Sequence, residues 1–232
     1  MRLYIPEARV RRYARIGLIA TLMGLACMIN GIVLVFVRQD LIGVILGSSF
    51  LGLLLTQVGM AFRNQWGRQP RMDQVLDEAL KGLDDRYAVF HYLLDASHAV
   101  FAPEGVYVLL TTDLDGDIRC EDGAWVRYRP SRRKGRPPSR QRLDDPGRRV
   151  GPEAERLRKT LTRRLGLAEA PEIQPILVFV HPHAEVHAGD APVATVHLKK
   201  LKAFLRARPR RRPLPPDQLA ALAAAVAPSG AV

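Results

Sequence analysis

Cysteine is almost missing: Cys27 and Cys120 are the only two in 232 residues. That excludes a disulfide framework and any cysteine-based metal site, and two free thiols suit a reducing compartment. There is no Gly-rich phosphate loop of the P-loop or dinucleotide kind, and no internal repeat. Nothing in the sequence therefore asks for a cofactor or points to a small-molecule substrate. The most informative absence is charge. Residues 16–37 carry no charged side chain, and neither do residues 41–62.

A helix needs about 20 apolar residues to cross a bilayer, and each of these runs is long enough. Arg38, Gln39 and Asp40 alone separate them, so the two helices are expected to turn back as a tight hairpin with spans at 16–37 and 41–62. Gly17, Gly24, Gly31, Gly43, Gly47, Gly52 and Gly59 dot the pair, and small residues let helix backbones approach closely in lipid. Asn30 is the one strongly polar side chain of the first span, and a hydrogen bond across the pair is its expected role. No ionisable group lies in either span, which points to an anchor and away from a pump or channel.

Arg2, Arg9, Arg11, Arg12 and Arg15 precede the first span and form a basic arm over residues 1–15. Arg63, Arg68 and Arg71 follow the second, whereas the connecting loop has only Arg38, offset by Asp40. The positive-inside tendency then puts both termini in the cytoplasm of a multi-pass inner (plasma) membrane protein. A cleaved signal peptide is not expected, because the first run is too long and no small-residue cleavage site precedes the second.

After the hairpin, residues 73–83 place Val75, Leu76, Ala79, Leu80 and Leu83 on one helical stripe, with Asp73 as N-cap. Strands are expected at 87–94, 98–101 and 106–112. Asp115-Gly116 reads as a hairpin turn returning through 118–120. Val106, Val108 and Leu110 alternate with Tyr107 and Leu109, themselves apolar, so this strand belongs inside a covered sheet. A helix at 153–165, strands at 176–180 and 193–197, and a helix at 198–205 complete a domain over 73–208. Within it, residues 127–149 are Arg-, Pro- and Ser-rich and read as a disordered basic loop. Residues 209–232 form a Pro/Arg/Ala-rich tail in which Asp217 can cap a short helix. The fold class is two transmembrane α-helices plus a cytoplasmic α/β (α+β) domain with a central mixed sheet.

The stretch "SHAVFAPEGVYVLLTTDLDGDI", the Trp125 that follows and the later "PILVFV" resemble the nuclease-related domain, NERD, a branch of the PD-(D/E)xK restriction-endonuclease-like fold. His98 matches the family histidine, Gly105 its turn glycine, Gly116 its hairpin glycine, and Trp125 the aromatic after the hairpin. Asp145-Pro146 loosely matches its Asn-Pro. The resemblance implies a metal-dependent phosphodiesterase in which two carboxylates hold the cation and a lysine positions the attacking water. Here the aspartate position holds Ser97, the glutamate position Leu110 and the lysine position Thr112. Hard cations require oxygen ligands that Leu110 does not offer. The expected state is a degenerate, catalytically silent domain, a pseudoenzyme. Displaced acids at Asp95, Asp113 and Asp115 are the alternative, a divergent membrane-attached nuclease.

No metal site is expected elsewhere. "DLDGDI" has its glycine one place early for a calcium loop, and Ala124 stands where a bidentate Glu is needed. "HPHAEVH" gathers His181, His183 and His187 without a cysteine or fourth histidine nearby, and reads as a solvated loop. Ser97-His98 invites a nucleophile–base pairing, but adjacent strand residues point to opposite faces. Net charge is +12. The basic loop residues Arg127, Arg129, Arg132, Arg133, Lys134, Arg136, Arg140 and Arg142 are the expected contacts for anionic lipid or nucleic acid. Tyr128 is the loop's one aromatic, so base-stacking platforms are lacking. The function expected is a binding or scaffold module held by membrane lipids, whose partner is another protein or a nucleic acid. Nucleic-acid tethering through the basic loop is the third reading.

Overall fold

A computed structural model describes residues 1–67, 70–129, 138–166, 171–208 and 215–226. It divides into two compact units, Glu7–Arg71 and a second built from Met1–Pro6 with Met72–Val232.

The first unit is a helical hairpin. Helix α1 (Glu7–Val37) and helix α2 (Ile42–Phe62) are joined through a 3-10 turn at Gln39–Leu41. Gly17, Gly24 and Gly31 recur at heptad spacing along α1 and are buried, as are Gly52 and Gly59 of α2. A Cβ on Gly24 would stand 2.5 Å from the Thr56 hydroxyl and 2.7 Å from the Gly52 carbonyl. Glycine at these places is therefore what allows the backbones to touch. Gly43 and Gly47 differ, because a Cβ on either meets nothing within 4 Å. Asn30 does not bridge the helices as expected. It is exposed, being about 100° around the helix from the interfacial Gly31. The cross-hairpin bond comes instead from Ser48, whose Oγ donates to the Cys27 carbonyl at 2.7 Å. At the open end, Tyr13 packs against Phe62 and Trp66, with ring centroids 5.9 and 5.4 Å away.

Large apolar side chains cover the outside of the hairpin, with Phe36 81% and Leu46 64% exposed. Both helices are long and apolar enough to cross a membrane, and only 11% of each apolar window is buried. A pair of soluble core helices would have those surfaces covered.

The second unit is a mixed α/β domain. In chain order it contains β1 (Arg2–Tyr4), α3 (Met72–Leu80), β2 (Ala88–His91), β3 (His98–Ala102), β4 (Gly105–Thr112), β5 (Gly116–Glu121), β6 (Ala124–Arg129) and β7 (Ser139–Arg142). These are followed by α4 (Val150–Leu165), β8 (Ile173–Phe179), β9 (Ala184–His187), β10 (Ala194–His197), α5 (Leu198–Arg206) and α6 (Pro216–Val226). One sheet has the order β1-β2-β3-β4-β8-β10, the other β7-β6-β5-β9. On one face of the larger sheet, Phe90, Phe101 and Val108 pack with Leu157 and Leu161 of α4 and Leu222 of α6. On the other, Val89, Tyr107 and Val178 pack with Leu76 and Leu80 of α3 and Leu201 and Leu205 of α5. A third cluster around Ile118, Trp125 and Phe179 joins the two sheets.

Several expectations change. Asp115-Gly116 does not turn a hairpin: β4 pairs with β3 and β8, whereas β5 leaves for the second sheet and pairs with β6 and β9. The tight turn is Asp122-Gly123, with φ of +50° and +76°, and positive φ at both central residues suits strand twist. The basic segment 127–149 is in large part ordered. Arg127 and Arg129 lie in β6, Arg140 and Arg142 in β7, and the two strands pair antiparallel. Every residue of β7 is exposed, so backbone pairing forms it and there is no apolar period to read. Residues 130–137, with Arg132, Arg133, Lys134 and Arg136, lie outside the described residues. The N-terminal arm is not an arm: Arg2–Tyr4 pair in parallel with Ala88–Phe90, and Tyr4 stacks on Phe90 at 4.5 Å. In the tail, α6 buries Leu219, Leu222 and Ala223. The strand expected at 87–94 stops at His91. "HPHAEVH" is not all loop either, since Ala184–His187 is strand β9, parallel to β5.

Candidate functional site

Two clusters of polar side chains meet at the turn between β2 and β3, one on each face of the larger sheet. The turn is tightly wound. Tyr92, Leu94 and Asp95 have φ of +55°, +59° and +58°, a region that costs non-glycine residues on the order of 1 kcal/mol or more each. Burying Leu93, Leu94 and Ala96 in the α4-side core is what the contortion achieves.

The first cluster occupies the corner where the resemblance puts phosphodiester chemistry. The β3–β4 ladder pairs Ala99 with Val108, and continuing that register by two residues sets Ser97 opposite Leu110. The two positions that the resemblance gives to an aspartate and a glutamate thus lie side by side, as a serine and a leucine. Leu110 packs against the α4-side core and the inter-sheet cluster. Thr112 pairs with Phe179, and its carbonyl accepts from the Val180 amide at 3.0 Å. One carboxylate does reach the corner. Glu153 of α4 is 2% exposed, accepting from the Ser97 amide at 3.0 Å and from its hydroxyl at 3.2 Å. Asp95, two residues earlier, accepts from the Thr160 hydroxyl at 2.6 Å. Helix α4 therefore clamps the wound turn at both ends, and both acids are engaged in holding it.

The second cluster was missed in the sequence, where His98 was noted without His91 and the one histidine cluster read was His181, His183 and His187. His91 and His98 face each other across β2 and β3, Nδ1 to Nδ1 at 2.6 Å, and His91 Nε2 lies 2.9 Å from Asp77 Oδ1 on α3. Both imidazoles are buried. Burial foremost, with His91 beside it, holds the His98 imidazole well below its ordinary value, so it is neutral. The Nδ1–Nδ1 contact holds one proton between the two rings, and His91 Nε2–H donates to the Asp77 carboxylate. The sequence signal was available: two histidines flanking one short hairpin turn fall opposite each other. Ser97 and His98 serve opposite faces, so they form no nucleophile–base pair.

The remaining site residues disperse. Arg127 is nearly buried, ion-paired with Asp115, and its Nε donates to the Asp115 carbonyl at 2.7 Å. Burial foremost, with Arg129 nearby, lowers its proton affinity. Arg129 is 3.7 Å from the same carboxylate, and Arg140 is 3.3 Å from Glu121. Arg142 is exposed. Asp113 is exposed at the end of β4, and Asp115 is taken up by the two arginines. His181 accepts from the His183 amide at 3.3 Å, while His187 lies 3.7 Å from Asp117. Among the described residues no group of three or more His, Cys, Asp or Glu side chains could hold a metal ion.

No protein-family model matches the chain, and neither a curated protein nor a solved structure matches it.

Proposed function

We propose that this chain is a two-span inner-membrane protein whose α/β unit is a cytoplasmic, degenerate relative of the NERD domain and serves as a binding or scaffold module. The observation that carries the reading is the corner at Ser97 and Leu110. Cation-assisted phosphodiester cleavage needs at least two charged oxygens converging on one ion. This corner offers a hydroxyl, an isobutyl group and one carboxylate already occupied by two donors.

Connectivity supports the topology. The chain leaves the α/β unit after β1 and returns before α3, and β1 and β2 are neighbours in one sheet. A hairpin inserted between two paired strands has both its ends on one side of any bilayer it spans. Arg9, Arg11, Arg12, Arg15 and Arg63 sit at that open end with Tyr13 and Trp66. The tip holds the Arg38–Asp40 pair at 2.8 Å, which is locally neutral. Cations and interfacial aromatics at the open end favour a cytoplasmic unit. Nucleic-acid tethering through the basic segment is the weaker reading, because Arg127, Arg129 and Arg140 already face carboxylates.

The test is incubation of the full chain in detergent with single- and double-stranded DNA and RNA plus magnesium or manganese. No cleavage is expected. Metal-dependent cleavage abolished by Asp113→Ala or Glu153→Gln would overturn the reading. For topology, a cysteine placed at residue 38 is expected to react with an impermeant thiol reagent from outside the cell.

A further inference from the structure

A groove of about 820 Å³ lies between β9, β10 and helix α5. Its walls have an unusual make-up. Every residue of β9 and the last three of β10 line it, although neighbouring strand residues point to opposite faces. Only strands presented edge-on can expose consecutive residues to one groove. The sheet orders agree, since β9 ends the smaller sheet and β10 ends the larger one. Each has one edge without a strand partner, and such an edge carries a row of N–H and C=O groups ready to pair.

The side chains add a second requirement. Val186, Val196 and Phe204 provide an apolar lining, and Lys199 and Lys200 stand at the N-terminal end of α5. Neither lysine has a carboxylate partner among the described residues, whereas Lys202 and Arg206 of the same helix are held by the carbonyls of Lys81 and Gly82. The positive end of the helix dipole adds to the two charges. Glu185 is the one acid among the lining residues.

We propose that this groove takes an extended acidic peptide segment of another protein, added as a strand along the free edge of β10 beside α5. Backbone pairing to that edge supplies the affinity. Alternate apolar side chains sit toward Phe204, and a carboxylate meets Lys199 and Lys200. This names a partner class for the binding module proposed above and rests on that reading for its biological sense. Its test has a separate readout: nuclease activity would overturn the module reading and leave peptide binding standing.

The test is panning of a random dodecapeptide display library against the full chain in detergent micelles, followed by measurement of the enriched peptides as synthetic probes. Enriched sequences should alternate apolar and acidic residues. Their affinity should fall at least tenfold in the Lys199→Glu/Lys200→Glu variant and at least tenfold again when alternate peptide amides are N-methylated. Amide hydrogen exchange along residues 194–197 should slow on binding, which separates strand addition from charge attraction alone. Failure to enrich any sequence would overturn the proposal. So would enriched peptides that bind the charge-reversed variant equally, or that tolerate N-methylation. Self-association of the chain through this edge, seen as competition with every probe, would assign the groove to a second copy and overturn it as well.

Discussion

Ser97 and His98 are neighbours in the chain, yet the two faces of the sheet they serve have opposite chemistry. On the α4 face, the corner at Ser97 and Leu110 has one carboxylate, and that group holds backbone and hydroxyl together. On the α3 face, the buried His91 and His98 form a continuous chain of titratable groups with the half-buried Asp77. The comparison teaches that burial of polar groups is not by itself a mark of catalysis. Each cluster satisfies its own members, and each fixes one side of a turn whose backbone is strained at three residues. Polar networks of this kind specify a conformation strongly when complete and cost heavily when one member is lost.

The largest effect is expected on the histidine side. His91→Leu removes a partner of both Asp77 and the buried His98. We expect a loss of about 3 kcal/mol in the stability of the α/β unit. Denaturant titration reports it with Trp125 as the fluorophore and Trp66 replaced by phenylalanine. A loss below about 1 kcal/mol would mean that the pair contributes little to holding the turn.

On the other face, Glu153→Leu leaves the Ser97 amide and hydroxyl without their acceptor. The expected loss is about 2 kcal/mol, measured the same way. The outcome separates structure from vestigial chemistry. A carboxylate kept for a metal would be stabilising to replace with an apolar residue in the metal-free protein, so a gain in stability would reverse our assignment of Glu153 as a clamp.

How much of this was legible beforehand depends on whether the controlling contact is local. The hairpin was plain, because residues 16–37 and 41–62 lack charge and no tertiary information is needed to read that. The two strands beside the corner were plain too, at 98–101 and 106–112, but that Ser97 falls against Leu110 came only with their register. Strand order was not. Two Asp-Gly pairs compete within nine residues, and only Asp122-Gly123 has paired strands immediately on both sides. Strand β7 and strand β1 are short, with exposed residues and no period, and exist because a neighbour's backbone is there to pair with. Glu153 reaches Ser97 across 56 residues of sequence, which no local pattern announces. The His91–His98 contact was readable in principle, but only after β2 had been cut short at His91.

The histidine face should also carry a pH signature. Burial keeps His98 neutral in the folded protein, while the unfolded chain takes a proton below about pH 6.5. Stability is therefore full above that pH. It declines as pH falls, by about 1.4 kcal/mol per unit, until the depressed folded-state value is reached. His98→Gln, which keeps a hydrogen-bonding side chain but does not titrate, should remove about half a proton from the slope at pH 6.5 and about nine-tenths at pH 5.5. An unchanged slope in that variant would place the proton uptake elsewhere.

The smallest effect concerns Asp95, the displaced acid nearest the corner. Thr160 is buried and donates to Asp95, but the aspartate itself is exposed. Water can replace the hydroxyl once it is gone, so Thr160→Val should cost only about 0.5–1 kcal/mol, much less than Glu153→Leu. The informative quantity is the coupling in the double variant Glu153→Leu/Thr160→Val. Both bonds run from α4 to one short turn, so the two losses should sum to more than the double variant shows, by about 0.5 kcal/mol or more. Strict additivity would mean that Asp95 is not part of the clamp. It would then be free to move toward Ser97, which is the one rearrangement that would bring a second carboxylate to Glu153.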